Sequence, residues 1–395
     1  MKKLWQKNWK LDKVIEAFET KGDLLLDQKL VAYDVQGSIA HAKMLYKIGI
    51  LTEKEFDGLH VGLQDILKLH KAGKFVLKTG DEDMHTKIEN YLTKNYGDVG
   101  KKIHTARSRN DQVLTALRLY SKAEITKIQK EIQSLIEAFK TMQSKYGSIP
   151  MPGYTHMQKA MPSTIGLWVG SYIDSLSDDK EMINAAYELI DQSPLGSAAG
   201  YGVSIPLDRK FTAEILGFKN VQENPLYCQH SRGKFEAAVL ASLTQTLLTI
   251  NKFASDALLF TTGEFDFFHV AQEITTGSSI MPQKRNLDVA ELLRSKVHIV
   301  LGNYTQIVSL NSNLISGYNR DIQDSKKPFM ESLDITLQSL KVATILVDSI
   351  TPNKKKLKVS MTNDLFATEQ VLKLVLLGDN FRDSYQKIGK KYTKG

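Results

Sequence analysis

The ten residues Gly277 to Asn286 (GSSIMPQKRN) bring together side chains that could move a proton. A serine can remove a carbon-bound proton only if its alkoxide is stabilised, and backbone N–H groups of a Gly-Ser-Ser turn and a nearby lysine could do this. Ser278 is therefore a candidate base, with Lys284 beside it. A second interpretation stays open, because serine and asparagine also suit a polar loop that caps the helix predicted near Asp288.

A second polar segment, His104 to Gln112 (HTARSRNDQ), comes just before a long amphipathic pattern. A helix N-terminus supplies unpaired N–H groups and the positive end of the helix dipole. The planar guanidinium of Arg109 can bind a carboxylate through two parallel hydrogen bonds. The segment therefore favours carboxylate binding, and the alternative is an ordinary helix cap made by Asn110 or Asp111.

Two further segments combine polar side chains with breaks in the helical pattern. Gly153 to Gln158 (GYTHMQ) places His156 in a Pro- and Gly-bounded break, where it could relay a proton or serve as a structural residue. Glu291, on the helix after the serine loop, could orient this histidine. In Tyr318 to Lys326 (YNRDIQDSK), ligand binding and helix capping are both open interpretations.

Metal and nucleotide sites are not expected from the sequence. His85 lies close to Glu82 and Asp83, but no second His or Cys stands at ligand spacing, so no metal site is predicted. The glycines between positions 196 and 202 do not match the dinucleotide-binding spacing and follow no predicted strand. We therefore expect no cofactor.

Long helices must position these segments. From Asn110 to Met142 the apolar residues recur mostly three or four apart, which predicts an amphipathic helix. The segments Phe235 to Phe260, Val289 to Leu310 and Met330 to Ile350 are apolar around much of their circumference. Helices of about 25 residues, on the order of 40 Å long, need partner surfaces, so oligomerisation is expected.

No segment alternates with period two strongly enough to predict a sheet, and the predicted fold is all-α.

The breaks between these patterns predict three domains. They are a small helical N-terminal domain at 1–105, a central bundle of long helices at 106–350, and a short C-terminal domain at 351–395. The net charge of +8 is spread over scattered lysines, which does not favour nucleic-acid binding. A positive cleft suits a small polyanion such as a dicarboxylate instead.

The cysteine count and the hydropathy pattern indicate in which cellular compartment the protein is expected. Cys228 is the single cysteine, so no internal disulfide is possible. The first ten residues, MKKLWQKNWK, lack the apolar stretch of a secretory signal, and no run approaches eighteen apolar residues. The expectation is a cytoplasmic protein in a reducing environment that does not span a membrane.

The serine loop resembles the GSSxMPxKxN signature of the fumarase and aspartase superfamily. Within it, HTARSRNDQ (104–112), GYTHMQ (153–158) and YNRDIQDSK (318–326), in this order, resemble the argininosuccinate lyase family with its delta-crystallin relatives, over residues from about 25 to 390. The resemblance implies an elongated all-α bundle and a homotetramer whose active sites are shared between subunits. It also implies reversible β-elimination of argininosuccinate to arginine and fumarate, in arginine biosynthesis. The alternatives are a sister fumarate-releasing lyase or a catalytically silent, crystallin-like structural protein.

The resemblance further implies a role for individual residues. Ser278 matches the base, and Lys284 and Asn286 match residues that stabilise the carbanion-like intermediate. His156 matches the residue of the proton chemistry, with Glu291 as its partner, and His85 a further active-site histidine. Four positions match residues that hold the succinyl carboxylates, and three match residues that reach the arginine end: Ser108, Arg109, Asn110 and Thr155 in the first group, Tyr318, Gln323 and Lys326 in the second.

Several positions depart from the family pattern. Leu287 stands where the loop usually has proline, so we expect looser closure of the loop, and Ala106 replaces a usual glycine. The start lacks the family's Gly-Gly-Arg-Phe after Leu4-Trp5, and the chain stops some tens of residues earlier, so we expect a weaker third domain. None of these departures touches a proposed catalytic side chain.

Overall fold

The structure is a computed structural model that describes residues 12–78 and 80–392. Two expectations concern the first ten residues, the lack of a secretory signal and the lack of the family's Gly-Gly-Arg-Phe start, and both lie outside the described residues. The described chain is mostly α-helical. Its α-helices are α1 (Lys13–Lys47), α2 (Glu53–Lys71), α3 (Met84–Tyr96), α4 (Arg109–Tyr146), α5 (Ile165–Ile190), α6 (Arg209–Ile215), α7 (Pro225–His230), α8 (Lys234–Phe260), α9 (Asp288–Leu310), α10 (Lys326–Ser349), α11 (Lys354–Ser360), α12 (Ala367–Leu376) and α13 (Phe381–Tyr392). Short 3₁₀ helices span Gly97–His104, Gln272–Ile274, Arg320–Ser325 and Asn363–Phe366.

The four helices predicted from apolar spacing are all present. α4 begins one residue before the predicted start and ends four residues after the predicted end. α8 and α9 cover two of the other segments, and α10 covers the third except for Ile350, which begins β8. Apolar residues of α8 such as Leu240, Leu243, Leu247 and Ile250 are buried at nearly every turn. The all-α fold is therefore confirmed, and the continuous helices α1 and α5 add to what the spacing predicts.

Side-chain caps fix where the helices next to the polar segments begin. Thr52 and Glu55 form a capping box at the start of α2, with each side chain accepting from the other residue's N–H. Asp83 precedes α3 and its Oδ1 accepts from Thr86 N at 2.7 Å. These caps satisfy N–H groups that the first helical turn leaves without a partner.

The segment around His156 is a β-hairpin, which the sequence analysis misses. β1 (Pro150–Thr155) pairs antiparallel with β2 (Gln158–Thr164), with an irregular register after Gly153. His156 and Met157 form the two-residue connection, and both have positive φ angles, 51° and 61°. Two left-handed residues between antiparallel strands are the signature of a type I′ turn.

Three other two-stranded pairings are much shorter. β3 (Gln192–Ser193) pairs parallel with β4 (Asn220–Val221), and β5 (Phe268–Val270) pairs antiparallel with β8 (Ile350–Pro352). β6 (Thr276–Gly277) pairs antiparallel with β7 (Arg285–Asn286) and closes the base of the serine loop. These pairings fasten loops between helices and leave the helical class unchanged.

Residue packing divides the described chain into two compact units. One contains the described residues up to Ile128 with Met182–Thr244 and Ile299–Ile335, and its interior includes Leu45, Leu59, Leu63 and Ile88. The other contains Gln129–Glu181, Gln245–His298 and the described residues from Thr336 onward, and is built on aromatic rings. In it the centroid of the Phe139 ring lies 4.9 Å from that of Phe253, and that of Trp168 lies 5.0 Å from that of Phe268. The three-domain division stays a prediction.

No helix among residues 12–78 and 80–392 has the length and apolar character needed to cross a bilayer.

Candidate active site

A row of polar side chains runs along one buried side of α1. Asp23, Asp27, Asp34, Ser38 and His41 are spaced by four, seven, four and three residues, so they share one helix face. All but Asp23 are less than 4 % exposed. Burial of four polar groups on one face requires partners from other elements. We call this row the polar face of α1.

The N-terminus of α3 meets this polar face. Asp27 Oδ2 accepts a hydrogen bond from Met84 N at 3.2 Å. One residue further, His85 Nδ1 lies 2.9 Å from Asp34 Oδ1. Both side chains are buried, and the first turn of α3 is thus fixed to α1 at two successive residues.

The segment from His104 to Gln112 is held by the same face. Arg107 is buried, and its Nη1 donates to Ser38 Oγ at 3.0 Å while its Nη2 donates to Ile103 O at 2.8 Å. His41 Nε2 lies 2.8 Å from Thr105 O. The chain therefore passes from Ile103 to Arg107 along a fixed path before α4 begins.

Ser108 and Asp111 close the start of α4. Ser108 Oγ accepts from Asn110 N at 3.2 Å, and Asp111 Oδ1 accepts from Ser108 N at 3.0 Å. Asp111 Oδ2 also accepts from the N–H groups of Gly196 and Ala198, both at 3.0 Å. The capping interpretation is thus correct for Asp111, and Ser108 rather than Asn110 supplies the other cap. Capping at Ser108 leaves its hydroxyl proton available to a ligand.

Arg109 is paired with carboxylates. Its Nη1 lies 2.6 Å from Glu82 Oε1 and 2.9 Å from Asp83 Oδ2. The two acids flank the start of α3, so they fix one end of the guanidinium. Its remaining N–H groups make no hydrogen bond to residues the structure describes, and they can still serve an incoming carboxylate.

The segment Tyr318 to Lys326 also reaches α1. Gln323 Nε2 donates to Glu19 O at 3.0 Å. Lys326 is 2 % exposed, and its Nζ lies 2.6 Å from Asp23 Oδ2 and 2.7 Å from Asp27 Oδ1. Burial raises the pKa of Asp23, and the ammonium of Lys326 works against that rise. A buried cation is therefore shared between two carboxylates of the polar face.

These contacts surround a cavity of about 400 Å³, which we call the first cavity. Seven of the thirteen predicted site residues line it: His85, Ser108, Arg109, Asn110, Tyr318, Gln323 and Lys326. The lining also includes acids and bases that sequence analysis did not single out as site residues, among them Glu19, Asp23, Asp27, Asp83, Arg107 and Arg232. Both signs of charge therefore face one space, which suits a ligand that carries both.

His104 also lines this cavity and is held neutral. Burial, followed by the nearby charges of Arg107, His85 and Arg109, lowers the pKa of His104 to about 4. A neutral imidazole both donates and accepts hydrogen bonds. His104 can therefore bind polar ligand atoms without adding charge.

The serine loop lies in the other compact unit. Ser278 Oγ accepts from Ile280 N at 3.3 Å and from Met281 N at 3.1 Å. Thr276 Oγ1 donates to Asp288 Oδ2 at 2.5 Å, which ties the base of the loop to the start of α9. The two N–H groups would stabilise negative charge on the serine oxygen, as expected of an alkoxide. Leu287, the departure from the family pattern, is buried directly before α9.

Five further predicted residues lie in or next to this loop or the hairpin. Lys284, Asn286 and Glu291 line a second cavity, of about 540 Å³, within the same unit. His156 is exposed at the hairpin turn, next to Thr155. Its side chain makes no hydrogen bond to Glu291 or to any other described residue. None of the serine-loop or hairpin residues is among those that line the first cavity.

Sequence analysis misses the polar face of α1 because its residues resemble a solvated helix surface. Asp27, Asp34 and His41 are buried by segments far away in sequence, and a single helix pattern cannot reveal such partners. The spacing of Asp23, Asp27 and Asp34 on one side was the available signal.

Comparison with known proteins identifies the family of the chain. The sequence profile of a family described as Lyase matches residues 6–302. An argininosuccinate lyase from Thermotoga neapolitana is 45 % identical over 392 residues, covering 99 % of this chain and 98 % of that protein. One from Bacteroides fragilis is 42 % identical over 387 residues, covering 98 % and 87 %.

Solved structures share the fold. An EDDS lyase variant with bound fumarate gives a TM-score of 0.84 at 23 % identity, over 97 % of this chain and 76 % of that one. The class II fumarase of Schistosoma mansoni gives 0.77 at 16 % identity, over 98 % and 92 %. The fold of the fumarase superfamily, predicted from the serine loop, is confirmed. On the full-length identity to its relatives, the chain belongs to the lyase family and, within it, to the argininosuccinate lyases.

Proposed function

We propose that this protein cleaves argininosuccinate to arginine and fumarate by β-elimination. The first cavity is the observation that carries this proposal. Arginines, a histidine and the capped start of α4 line it together with the carboxylates Glu19, Asp23 and Asp27. Argininosuccinate combines carboxylates with a guanidinium and an amino group, so it needs both kinds of partner. A simple dicarboxylate would contact only the cationic and N–H groups of the cavity.

The carboxylates of the succinyl half are assigned to the start of α4. Ser108 and Asn110 line the cavity at the helix N-terminus, where the dipole favours an anion. Arg109 offers the N–H groups that Glu82 and Asp83 leave free. Thr155 of the hairpin is assigned to the same half. The arginine end is assigned to Tyr318, Gln323 and the acids around Lys326.

In the proposed reaction a base removes a proton from the succinyl carbon beside a carboxylate. That carboxylate takes up the negative charge, and the bond from the neighbouring carbon to the guanidinium nitrogen then breaks, with a proton delivered to the leaving nitrogen. Ser278 is assigned as the base, because two backbone N–H groups already point at its oxygen. Lys284 and Asn286 would stabilise the dianionic intermediate.

His156 is assigned to the proton chemistry, with Glu291 as its partner in the assembled enzyme. We propose a homotetramer in which the hairpin and the serine loop come from different subunits than the first cavity. Exposed apolar residues on α9 support such contacts, since Leu292 is 58 % and Ile299 is 41 % exposed. The lone, buried Cys228 supports the proposal of a cytoplasmic location.

The ultraviolet absorbance of fumarate tests the reaction. Purified protein is incubated separately with argininosuccinate, adenylosuccinate, aspartate and malate at equal concentrations. Release of fumarate from argininosuccinate alone is expected. Fumarate from another substrate with none from argininosuccinate would assign a sister lyase, and none from any substrate would indicate a silent, crystallin-like protein.

A further inference from the structure

The hydrogen bond between His85 and Asp34 fixes which imidazole nitrogen is free. Nδ1 of His85 lies 2.9 Å from Asp34 Oδ1, and the carboxylate can only accept, so Nδ1 carries the proton. Nε2 has no hydrogen-bond partner among the described residues, and His85 lines the first cavity. The nitrogen that remains for a ligand is therefore Nε2.

Negative groups surround this histidine from two helices. Asp34 and Asp27 face it from α1, and Asp83 faces it from the start of α3. Burial by itself lowers the pKa of His85, but these three carboxylates outweigh burial, and its pKa lies above the ordinary value. A charged His85 in turn lowers the pKa of the neighbouring His104.

The second oxygen of Asp34 is unusual. Oδ2 is buried and has no hydrogen-bond partner among the described residues. A buried carboxylate oxygen without a donor destabilises the fold, typically by about 1–3 kcal/mol. An asparagine at this position could keep the Oδ1 acceptor, but it would remove the negative charge that faces both His85 and the buried guanidinium of Arg107. The charge of Asp34 therefore acts on His85 as well as on the packing around Arg107.

We propose that Asp34 is a positioning residue for the elimination, which holds His85 protonated on both nitrogens so that Nε2–H donates to a carboxylate of the succinyl half. The inference rests on the proposed function of the first cavity. The imidazolium then stabilises the carboxylate as it takes up charge from the neighbouring carbon. Asp34 itself does not touch the substrate, since it lies behind the ring.

The test substitutes Asp34→Asn and, as a matched control, Asp334→Asn, which removes a carboxylate from the exposed pair with Lys29. Asp34→Asn should lower kcat/KM by about 10- to 100-fold. This is less than the loss expected when a group that hydrogen-bonds the reacting carboxylate is itself removed. The alkaline limb of the kcat/KM profile should move to lower pH, because His85 loses its proton sooner. The melting temperature should fall, because buried His85 and Arg107 lose a nearby carboxylate, and the control should change none of the three.

A purely structural role for Asp34 predicts a different pattern. The melting temperature would still fall, but activity would fall only in proportion to the loss of folded protein, and the pH profile would keep its shape. That outcome, or unchanged kcat/KM in a folded Asp34→Asn protein, would overturn the proposal.

A second measurement requires neither turnover nor the Asp34→Asn variant. Nitrogen-15 NMR of labelled histidine in the assembled wild-type protein, with His85→Gln used for assignment, should give a His85 pKa above the ordinary value and above that of His104. A His85 neutral at pH 7 would refute the proposal. Absence of fumarate release from the wild-type protein would instead refute the proposed function, and the two failures are thus distinguishable.

Discussion

Lys326 Nζ lies 2.7 Å from Asp27 Oδ1, and both side chains are almost fully buried, although 299 positions separate them in sequence. Asp23 shares the same ammonium. The start of α10 is thereby joined to α1 by one cation and two carboxylates. The charge balance of the first cavity depends on this cluster.

Substitution of Lys326→Met should strongly destabilise the protein, since it leaves the buried carboxylate of Asp27 without its cation. Loss of one partner of a buried ion pair typically costs about 3–5 kcal/mol. Burial already raises the pKa of Asp23, and loss of the ammonium would raise that pKa further in the folded state, so the deficit should shrink as the pH is lowered. Denaturant unfolding at fixed protein concentration and several pH values measures this.

The control is Lys29→Met, which breaks the exposed pair with Asp334. An exposed pair contributes at most about 1 kcal/mol. If the two substitutions lowered the free energy of unfolding equally, the buried cluster of Lys326, Asp23 and Asp27 would not have the stabilising role assigned to it.

Substitution of Ala106→Gly should stabilise the protein. Ala106 has a φ of 58°, in the left-handed region where a Cβ costs about 1–2 kcal/mol. Glycine adopts this conformation without strain but gains freedom in the unfolded chain, so the net gain should be about 1 kcal/mol or less. A rise in melting temperature is the expected result, and a fall would show that Ala106 contributes packing that outweighs its strain.

Substitution of Ser278→Ala should lower turnover by at least about a hundredfold, as expected when a general base is lost. Argininosuccinate binding, followed by calorimetry, should change little, because Ser278 does not line the first cavity. Ser279→Ala is the neighbouring control and should keep most activity. Near-normal turnover in Ser278→Ala would remove this serine as the base.

Mixed tetramers test whether sites are shared between subunits. His156→Asn is the suitable partner variant, because asparagine tolerates the left-handed conformation of the hairpin turn and the change removes only the imidazole. Each variant alone should be nearly inactive, and reassembly of a mixture with Ser278→Ala should restore part of the activity. Ser278→Ala dissociated and reassembled by itself is the control. If verified mixed tetramers recover no activity, Ser278 and His156 of each active site come from the same subunit, and the proposed sharing is wrong.

Features that depend on contacts within one chain segment can be predicted from the sequence, whereas features that depend on contacts between distant segments cannot. α4 and α8 could be predicted, because apolar spacing along one segment already determines which side is buried. The hairpin at His156 could not, since prolines interrupt both strands and the positive φ angles of the turn leave little trace in a His-Met pair. The start of α4 was recognised from its polar residues, whereas the pairing of Arg109 with Glu82 depends on distant chain segments.

The polar face of α1 shows the same limit from another side. In an isolated helix these acids would be expected to face water, but Met84 N, His85 and Lys326 are their partners in the structure. Motif positions thus include seven of the residues that meet in the first cavity. They did not identify the aspartates that hold those residues in place.

The polar face also orders events during synthesis of the chain. α1 is made near the beginning, but the cation that neutralises Asp27 is added 299 residues later. At about 5–20 residues per second, this delay is roughly 15–60 s. Throughout that time Asp23 and Asp27 lack their ammonium partner, although Met84 and His85 are made much earlier. The N-terminal helix can therefore reach its final buried state only after the ribosome has completed most of the chain.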